Sequence, residues 1–225
     1  MRAPEFVHTH GVMGSGKTLA AIQREMTLSR RNYLYVITKS SVDTRAGQQI
    51  RTRFGDVSRD VDFVTHPDDS FAERTIRALK AKDQHGRIGN TVLNMAAIID
   101  EVNFMSEEQV TEARQLVDDF GINVYTFGIE TDFLDRPFIG EQTARKLADR
   151  SIKLEADCYG IWDDGDCHDV AAHNARLVDD AYVFVGDQVA INEEGEEIEK
   201  RERVTTYRSL CDACYTLAKL ESQQR

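Results

Sequence analysis

The sequence has 225 residues, enough for one large domain or one domain with a small appendage. Its 28 basic and 39 acidic residues leave a formal net charge of −11, which argues against a protein whose main role is to coat nucleic acid or an anionic membrane. With 41% hydrophobic residues, the chain is expected to fold rather than to be disordered.

No stretch of the sequence has the pattern of a membrane span or of a secretory signal. The longest apolar run near a candidate span, residues 95–99, is far shorter than the roughly 20 residues that a membrane helix needs. The first five residues lack the apolar core of a secretory signal. The sequence therefore predicts a soluble, cytoplasmic protein, whose four cysteines are thiols or metal ligands rather than disulfides.

Up to about residue 155, short apolar runs alternate with helical patterns, which predicts βαβ units and a mostly parallel sheet. The predicted strands cover residues 5–9, 33–38, 61–65, 92–99 and 123–127. One predicted helix places three apolar residues on a common face: Leu19, Ile22 and Met26. A second predicted helix does the same with four: Val110, Ala113, Leu116 and Phe120. Ser106 and Gln109 form a capping-box signature at the start of this second helix.

Residues 11–18 match the pattern G-x-x-x-x-G-K-[ST] at every position. The glycines of this pattern let the backbone curl so that successive N–H groups point at phosphate oxygens, and the loop opens onto a helix N-terminus. Lys17 is expected to reach the β- and γ-phosphates, and the Thr18 hydroxyl is expected to bind Mg²⁺. The pattern therefore predicts a nucleoside triphosphate site made by Gly11, Val12, Met13, Gly14, Ser15, Gly16, Lys17 and Thr18.

The apolar run 93–99 ends in Asp100 and Glu101. An Asp at the C-terminal end of a buried strand is the expected second ligand on the Mg²⁺ side of a phosphate-loop site. Glu101 points to the opposite side of the strand or lies just past it, where it could act on water in an ATPase or on a substrate hydroxyl in a kinase. Taken alone, the pair is also typical of the region before a helix N-terminus. The intact phosphate loop favours the catalytic interpretation.

Together these motifs resemble, in sequence order, those of thymidine kinases of the type found in bacteria, phages and animal cytosol. The phosphate loop resembles the family's G-P-M-x-S-G-K-[ST], residues 39–45 resemble K-P-x-x-D-x-R, and residues 51–55 resemble the S-R-x-G that follows. Residues 99–104 are similar to I-D-E-A-Q-F, residues 128–133 to G-L-x-x-D-F, and residues 207–214 to Y-x-x-x-C-R-x-C. The chain departs from the family at Val12, Gly14 and Asn103, where the family has Pro, a bulkier residue and Gln.

The resemblance implies a P-loop NTPase-like α/β fold with a mostly parallel sheet flanked by helices. The phosphate-loop domain is expected to cover residues 1–155, and a small zinc-binding lasso domain that closes over the nucleoside is expected to cover residues 156–225. The second region contains all four cysteines, a polar loop at 162–166 and a charged stretch at 193–203.

The resemblance also implies a role for each matching residue. Glu101 is expected to be the general base on the 5′-hydroxyl of thymidine, and Lys17 and Arg53 to stabilise charge on the transferring γ-phosphoryl group. Mg²⁺ is expected to be served by Thr18, Asp100 and Asp43, and the ATP site to include Asp100, Glu101, Val102 and Asn103. Five residues are expected to wall the base pocket: Met13, Phe104, Phe133, Phe138 and, from a lasso-like loop, Tyr207. Core packing is an equal alternative for Phe138.

Cys211 and Cys214 have the spacing of a zinc knuckle. The resemblance implies that a second pair completes a structural Zn²⁺ site, but here Cys158 and Cys167 are separated by eight residues rather than by about two. The simplest interpretation is a longer loop between two ligands that still meet. Replacement of one ligand by His168, or four unconnected buried thiols, are the alternatives.

The leading hypothesis is thus a kinase that transfers the γ-phosphoryl group of ATP·Mg²⁺ to thymidine, giving dTMP and ADP for nucleotide salvage and DNA synthesis. A preference for deoxyuridine, or for pyrimidine nucleosides more broadly, is a variant of the same hypothesis. The alternatives from other classes are a P-loop ATPase, a non-catalytic regulatory nucleotide-binding module, and nucleic-acid binding through the zinc region, which the acidic balance disfavours. The resemblance further implies a homotetramer and feedback inhibition by thymidine triphosphate.

Overall fold

In a computed structural model of the chain, the described residues are 3–44, 46–52, 57–83, 94–162, 165–188 and 204–223. They fall into two compact units. The first unit comprises Met1–Gly11, Gly16–Glu130 and Phe138–Leu154, and the second comprises Val12–Ser15, Thr131–Pro137 and Glu155–Arg225. Arg53 and the charged stretch 193–203 lie outside the described residues. The domain boundary at residue 155 stays a prediction.

The first unit is built on a six-stranded sheet with the order β5-β2-β6-β7-β1-β8, in which every neighbouring pair is parallel. Its strands are β1 (Phe6–His10), β2 (Leu34–Ser40), β5 (Phe63–Thr65), β6 (Met95–Asp100), β7 (Ile122–Gly128) and β8 (Arg150–Lys153). A separate antiparallel pair consists of β3 (Gln49–Arg51) and β4 (Ser58–Asp60). The helices are α1 (Lys17–Arg30), α2 (Phe71–Lys82), α3 (Glu107–Phe120), α4 (Ile139–Leu147) and a short 3-10 helix (Val102–Phe104).

The five predicted strands are confirmed as β1, β2, β5, β6 and β7, with ends that differ by at most three residues. The central strands are buried because helices cover both faces of a parallel sheet. Alternate residues of β6 join different clusters of the core: Ala97 and Ile99 join one, and Ala96 and Ile98 join the other. The edge strand β8 was missed, because its sequence is largely polar and exposed.

Of the predicted face of α1, the structure buries only Ile22. The helix is present, but Leu19 is 54% exposed and Met26 is 43% exposed, whereas Ala21, Ile22 and Leu28 are buried. A short helix carries more than one apolar stripe, and contact with β6 and β7 selects the stripe that contains the small Ala21.

The capping box predicted for α3 is confirmed. The Ser106 side chain accepts a hydrogen bond from the Gln109 N–H, and the Gln109 side chain accepts one from the Ser106 N–H. Of the predicted apolar face, Val110, Ala113 and Leu116 are buried, but Phe120, at the last position of the helix, is exposed.

The described residues of the second unit form a three-stranded antiparallel sheet with the order β12-β11-β13, a short hairpin and one helix. Its elements are β9 (Ile161–Trp162), β10 (Gly165–Asp166), β11 (His173–Val178), β12 (Ala181–Val183), β13 (Thr205–Leu210) and α5 (Asp212–Gln223). The core of this unit is small and consists of the four cysteines packed with Ala175, Leu210, Tyr215 and Ala218. Among the described residues, no helix has both the length and the apolarity to cross a membrane.

Candidate active site and metal centre

The phosphate loop runs from the buried strand β1 into α1. Gly16 caps α1 with a φ of 83°, and Gly14 has a φ of 79°, both in the left-handed region that glycine adopts without strain. The N-terminus of a helix directs its first N–H groups outwards along the helix axis, and the helix dipole favours an anion at this end. Lys17 is buried, and its Nζ donates a hydrogen bond to the Gly11 carbonyl oxygen at 3.1 Å. The segment thus supplies the backbone and the cation that a triphosphate needs.

Asp100 ends β6 with a buried side chain, and the Thr18 hydroxyl donates a hydrogen bond to its carboxylate. Burial raises the pKa of Asp100 to about 7, and the negative charges of Glu101 and Asp43 add to that rise. The hydrogen bond from Thr18 and the positive charge of Lys17 oppose it. A buried carboxylate among like charges is unfavourable until a cation neutralises it. Carboxylate and hydroxyl oxygens are ligands that Mg²⁺ prefers, so the residues present fit that ion.

Glu101 lies just past β6 in a left-handed backbone conformation, with a φ of 53° and a ψ of 45°. Residues other than glycine are uncommon there, and such strain persists where the surrounding structure enforces it. The Glu101 N–H donates to the Asp100 carboxylate at 3.2 Å, and the Glu101 carbonyl accepts from the Phe104 N–H at 3.1 Å. The strand and the turn after it therefore both fix the backbone of Glu101, and with it the direction of its Cα–Cβ bond.

Lys39 is a buried cation at the same end of the sheet. It pairs with Asp100 in the register of β2 and β6, and its Nζ lies 3.1 Å from the Asp43 carboxylate. Lys39 therefore holds Asp43 close to the predicted Mg²⁺ ligands. The sequence contained Lys39 as the first residue of a motif, but no role was predicted for it.

Two of the predicted base-pocket residues meet in the first unit. The rings of Phe104 and Phe138 pack edge to face, with centres 5.6 Å apart, and Phe138 is buried. The Asn103 amide oxygen accepts from the Ile129 N–H at 3.2 Å, and its amide nitrogen has no hydrogen-bond partner among the described residues. Val102 belongs to the hydrophobic core, so it can meet a nucleotide only through its backbone.

Met13 lies in the second unit, held by side chains for which no role was predicted. Its N–H donates to the Asn174 side-chain oxygen at 2.7 Å, and its carbonyl accepts from the Ser209 hydroxyl. Asn174 also donates to the Thr131 carbonyl at 2.9 Å. Asn174 and Ser209 are register partners on β11 and β13, so one rung of the sheet holds the tip of the phosphate loop. They gave no signal in the sequence, because this contact joins residues 161 or more positions apart.

Phe133 and Tyr207 also lie in the second unit. Phe133 is buried, and the Arg176 guanidinium carbon lies 3.8 Å from the centre of its ring. The structure places Tyr207 in strand β13 opposite Arg176, half-buried, and not in a loop as predicted.

The four cysteines of the second unit converge on one point. Their sulfur atoms all lie within 4.8 Å of one another, and all four side chains are buried. Cys158 and Cys167 flank the β9–β10 hairpin, which is closed by a hydrogen bond of 2.9 Å from the Cys167 N–H to the Gly160 carbonyl. Cys211 follows β13, and Cys214 lies in the first turn of α5. The prediction that Cys158 and Cys167 meet despite their separation in the sequence is confirmed.

The geometry of this cluster fits a metal ion. The sulfur atoms of Cys167 and Cys211 are 3.8 Å apart, close to the separation of about 3.8 Å between two thiolates that each lie about 2.3 Å from one tetrahedral Zn²⁺. Burial raises the pKa of the Cys158 and Cys214 thiols, so a bound cation is needed to make them thiolates. His168 is exposed and lies outside the cluster.

Two features define the class of P-loop nucleotide-binding proteins. One is a glycine loop that connects a parallel sheet to a helix and ends in a lysine and a threonine. The other is a buried Asp that accepts a hydrogen bond from that threonine. Within this class, residues 6–215 match the family model described as thymidine kinase. The chain belongs to the thymidine kinase family.

Individual relatives agree with the family match. The chain is 33% identical over 193 residues to a thymidine kinase of Streptomyces coelicolor, which covers 84% of this chain and 80% of the relative. It is 27% identical over 190 residues to a thymidine kinase of Enterobacteria phage T4, covering 84% of this chain and 89% of the relative. Among solved structures, the genome packaging NTPase B204 of Sulfolobus turreted icosahedral virus 2 aligns at 17% identity with a TM-score of 0.42, over 68% of this chain and 75% of that one. A likeness at that level adds nothing to the assignment.

Proposed function

We propose that this protein transfers the γ-phosphoryl group of ATP to the 5′-hydroxyl of thymidine, giving dTMP and ADP. The observation that carries the proposal is the cluster of Lys17, Thr18 and buried Asp100 with Glu101 one residue beyond, in a chain of the thymidine kinase family. The relatives named as thymidine kinases support the choice of acceptor. Glu101 alone would also suit an ATPase, in which it would act on water, so membership of the thymidine kinase family is what favours the kinase.

The proposed chemistry depends on positioning and charge. Phosphoryl transfer has a loose transition state with charge on the equatorial oxygens, so the protein contributes mainly through geometry and electrostatics. Glu101 accepts the proton of the 5′-hydroxyl as its oxygen bonds to the γ-phosphorus and the bond from that phosphorus to the departing ADP breaks. Lys17 and Arg53 stabilise charge on the transferring group. Thr18 and Asp100 would hold Mg²⁺, with Asp43 nearby, and the ion would supply positive charge to the phosphates of ATP.

The cysteine cluster is proposed to bind structural Zn²⁺ through Cys158, Cys167, Cys211 and Cys214. Four sulfur ligands leave no open position on a tetrahedral ion, so the site supports the fold and takes no part in phosphoryl transfer. Contact of Met13, Phe104, Phe133, Phe138 and Tyr207 with the base stays a prediction from the family resemblance. The homotetramer and the cytoplasmic location stay predictions as well.

The test incubates the protein with ATP·Mg²⁺ and each nucleoside separately and measures the 5′-monophosphate. Thymidine is expected to give dTMP, and the rate with deoxyuridine measures the breadth of the acceptor. ATP hydrolysis without a nucleoside product would favour the ATPase alternative, and ATP binding without turnover would favour the regulatory module.

A variant of Glu101 tests the proposed base. Glu101→Gln is expected to lower kcat by roughly 10²–10⁴, because a neutral amide cannot accept the proton, while ATP binding is retained. Glu107→Gln removes the same charge from an exposed position in the first turn of α3 and serves as the matched control. If Glu101→Gln turned over thymidine as fast as the parent protein, its role as base would be abandoned.

A further inference from the structure

His173 joins two segments of the second unit through both of its ring nitrogens. Its Nδ1 lies 2.7 Å from the Asp135 carboxylate, and its Nε2 lies 2.8 Å from the Asp212 carboxylate. Asp135 belongs to the segment Thr131–Pro137, and Asp212 is the first residue of α5. The ring therefore connects the segment that carries Phe133 to the helix that carries Cys214.

Two hydrogen bonds of this kind require a charged ring. A neutral imidazole has one N–H group and one acceptor nitrogen, whereas an ionised carboxylate only accepts hydrogen bonds. Both contacts of His173 are therefore hydrogen bonds only when the ring is an imidazolium. Burial lowers the pKa of His173, but the two carboxylates together raise it by more. The pKa of His173 therefore lies above its usual value.

The same ring also supports the backbone of Phe133. His173 stacks on Tyr215, with ring centres 4.3 Å apart and planes inclined by 10°. The Tyr215 hydroxyl donates to the Phe133 carbonyl at 2.7 Å. Burial raises the pKa of Tyr215, so this hydroxyl keeps its proton at neutral and mildly alkaline pH. Two points of the segment Thr131–Pro137 are therefore held by two stacked rings.

We propose that His173, as an imidazolium, is a positioning residue for the nucleoside, because it holds the segment Thr131–Pro137 and with it Phe133. The inference rests on the proposed function and on the predicted contact of Phe133 with the base. His173 itself is not proposed to touch the substrate. Its two bonds to Asp135 and Asp212 give the segment one conformation, which lowers the ordering cost of binding.

The charges around the ring set the direction of the pH effect. Asp135 and Asp212 face its edges, Tyr215 faces its plane, and the Lys219 ammonium lies 4.4 Å from the centre of the Tyr215 ring and 4.0 Å from the Asp135 carboxylate. The residue opposite His173 on β13 is the apolar Leu210. Because the pKa of His173 is raised in the folded protein, both hydrogen bonds are present below the usual histidine pKa near 6.5. One of them is lost as pH rises through the pKa that His173 has in the folded protein. We expect the KM for thymidine to rise over that interval.

The first test measures the ring directly by NMR of the imidazole nitrogens in the whole protein. His173 is expected to carry two N–H groups at pH 6 and to titrate above pH 6.5. Asp212→Asn, at a side chain that is 91% exposed, is expected to lower the titration midpoint, because it removes one of the two carboxylates that raise the pKa of His173. Titration of His173 at or below pH 6.5, or an unchanged midpoint in Asp212→Asn, would overturn the inference.

The second test separates KM from kcat. His173→Phe keeps a ring to stack on Tyr215 but removes both hydrogen bonds, and its KM for thymidine is expected to be about ten-fold above that of the parent at pH 6, a factor that corresponds to about 1.4 kcal/mol. The KM of His173→Phe for thymidine is expected not to vary with pH, whereas the KM of the parent rises towards that of the variant as pH increases. The kcat of His173→Phe is expected to differ from that of the parent by less than about two-fold. His66→Phe, at an exposed histidine of the first unit, is expected to behave as the parent.

The outcomes distinguish this inference from the proposed function. If the parent protein does not phosphorylate thymidine, the proposed function fails and the inference fails with it. If the parent is active and His173→Phe has the same KM and the same pH profile, only the inference fails. If His173→Phe does not fold, Asp212→Asn decides, because the KM of this variant is expected to rise at a lower pH than the KM of the parent.

Discussion

Replacing Gly140 with alanine places a methyl group against the backbone of the turn that follows Glu101. Gly140 is a buried residue of the first turn of α4. A Cβ built on it lies 2.5 Å from the Met105 carbonyl oxygen and closer still to the Val102 carbonyl oxygen. Contacts below 3.0 Å are essentially never found for a Cβ, and backbone atoms cannot rotate away as a flexible side chain can. The helix and the turn must therefore separate by about half an ångström or more.

The expected cost follows from two opposing effects. Overpacking of a close contact destabilises a protein by about 1–3 kcal/mol, whereas alanine improves helix propensity over glycine by up to about 1 kcal/mol. Starting from the middle of the first range, about 2 kcal/mol, the net loss is about 1–2 kcal/mol, which for a chain of this size lowers Tm by about 2–8 °C. Because the turn after Glu101 has to move, kcat is expected to fall about ten-fold or more, since small displacements of a catalytic group are costly.

Thermal unfolding and steady-state kinetics of Gly140→Ala measure both effects. Gln142→Ala, at an exposed position of the same helix, is the matched control and is expected to change the stability by less than about 0.5 kcal/mol. A Tm for Gly140→Ala equal to or above that of the parent would refute the packing argument. A lower Tm with an unchanged kcat would refute the link between this contact and Glu101.

Two further predictions concern the proposed metal sites. In metal-free protein, the raised pKa of Asp100 means that the folded carboxyl group keeps its proton while the unfolded one loses it, so the stability that depends on this group falls as pH rises from about 4 to 7. Asp100→Asn is therefore expected to be about 1–3 kcal/mol more stable than the parent at pH 7.5 in the presence of chelator, and equally stable at pH 4. Denaturant unfolding measures both values. Equal stability of the two proteins at both pH values would contradict this reasoning. The purified protein is expected to contain about one zinc ion per chain by elemental analysis, and Cys214→Ser is expected to lose it together with several degrees of Tm. A parent protein with far less than one zinc ion per chain would count against the zinc site.

Patterns that are local in the sequence predicted local structure well. The capping box of Ser106 and Gln109 and the glycine loop before α1 are formed by residues within a few positions of one another, so their geometry depends little on the rest of the chain. The buried central strands were found for a related reason, because a strand covered on both faces needs a continuous apolar run. The polar edge strand β8 has no such run and was missed.

The burial of α1 shows where periodicity reaches its limit. Leu19 and Met26 have the right spacing for a buried face, but the sheet contacts the neighbouring stripe of the helix around Ala21. Spacing defines which residues share a face, and only the packing partner decides which face is buried.

The sequence by itself determined the kind of chemistry, because the residues of the phosphate loop and the Asp100–Glu101 pair are contiguous and their order carries the pattern. Only the tertiary structure decided the left-handed conformation of Glu101, the close approach of Gly140 to the turn behind it, and the meeting of Cys158 and Cys167 across the eight residues between them. The same holds for His173 between Asp135 and Asp212. The physical reason is that these features depend on distances between atoms far apart in the chain, which packing sets and which no local pattern of residues records.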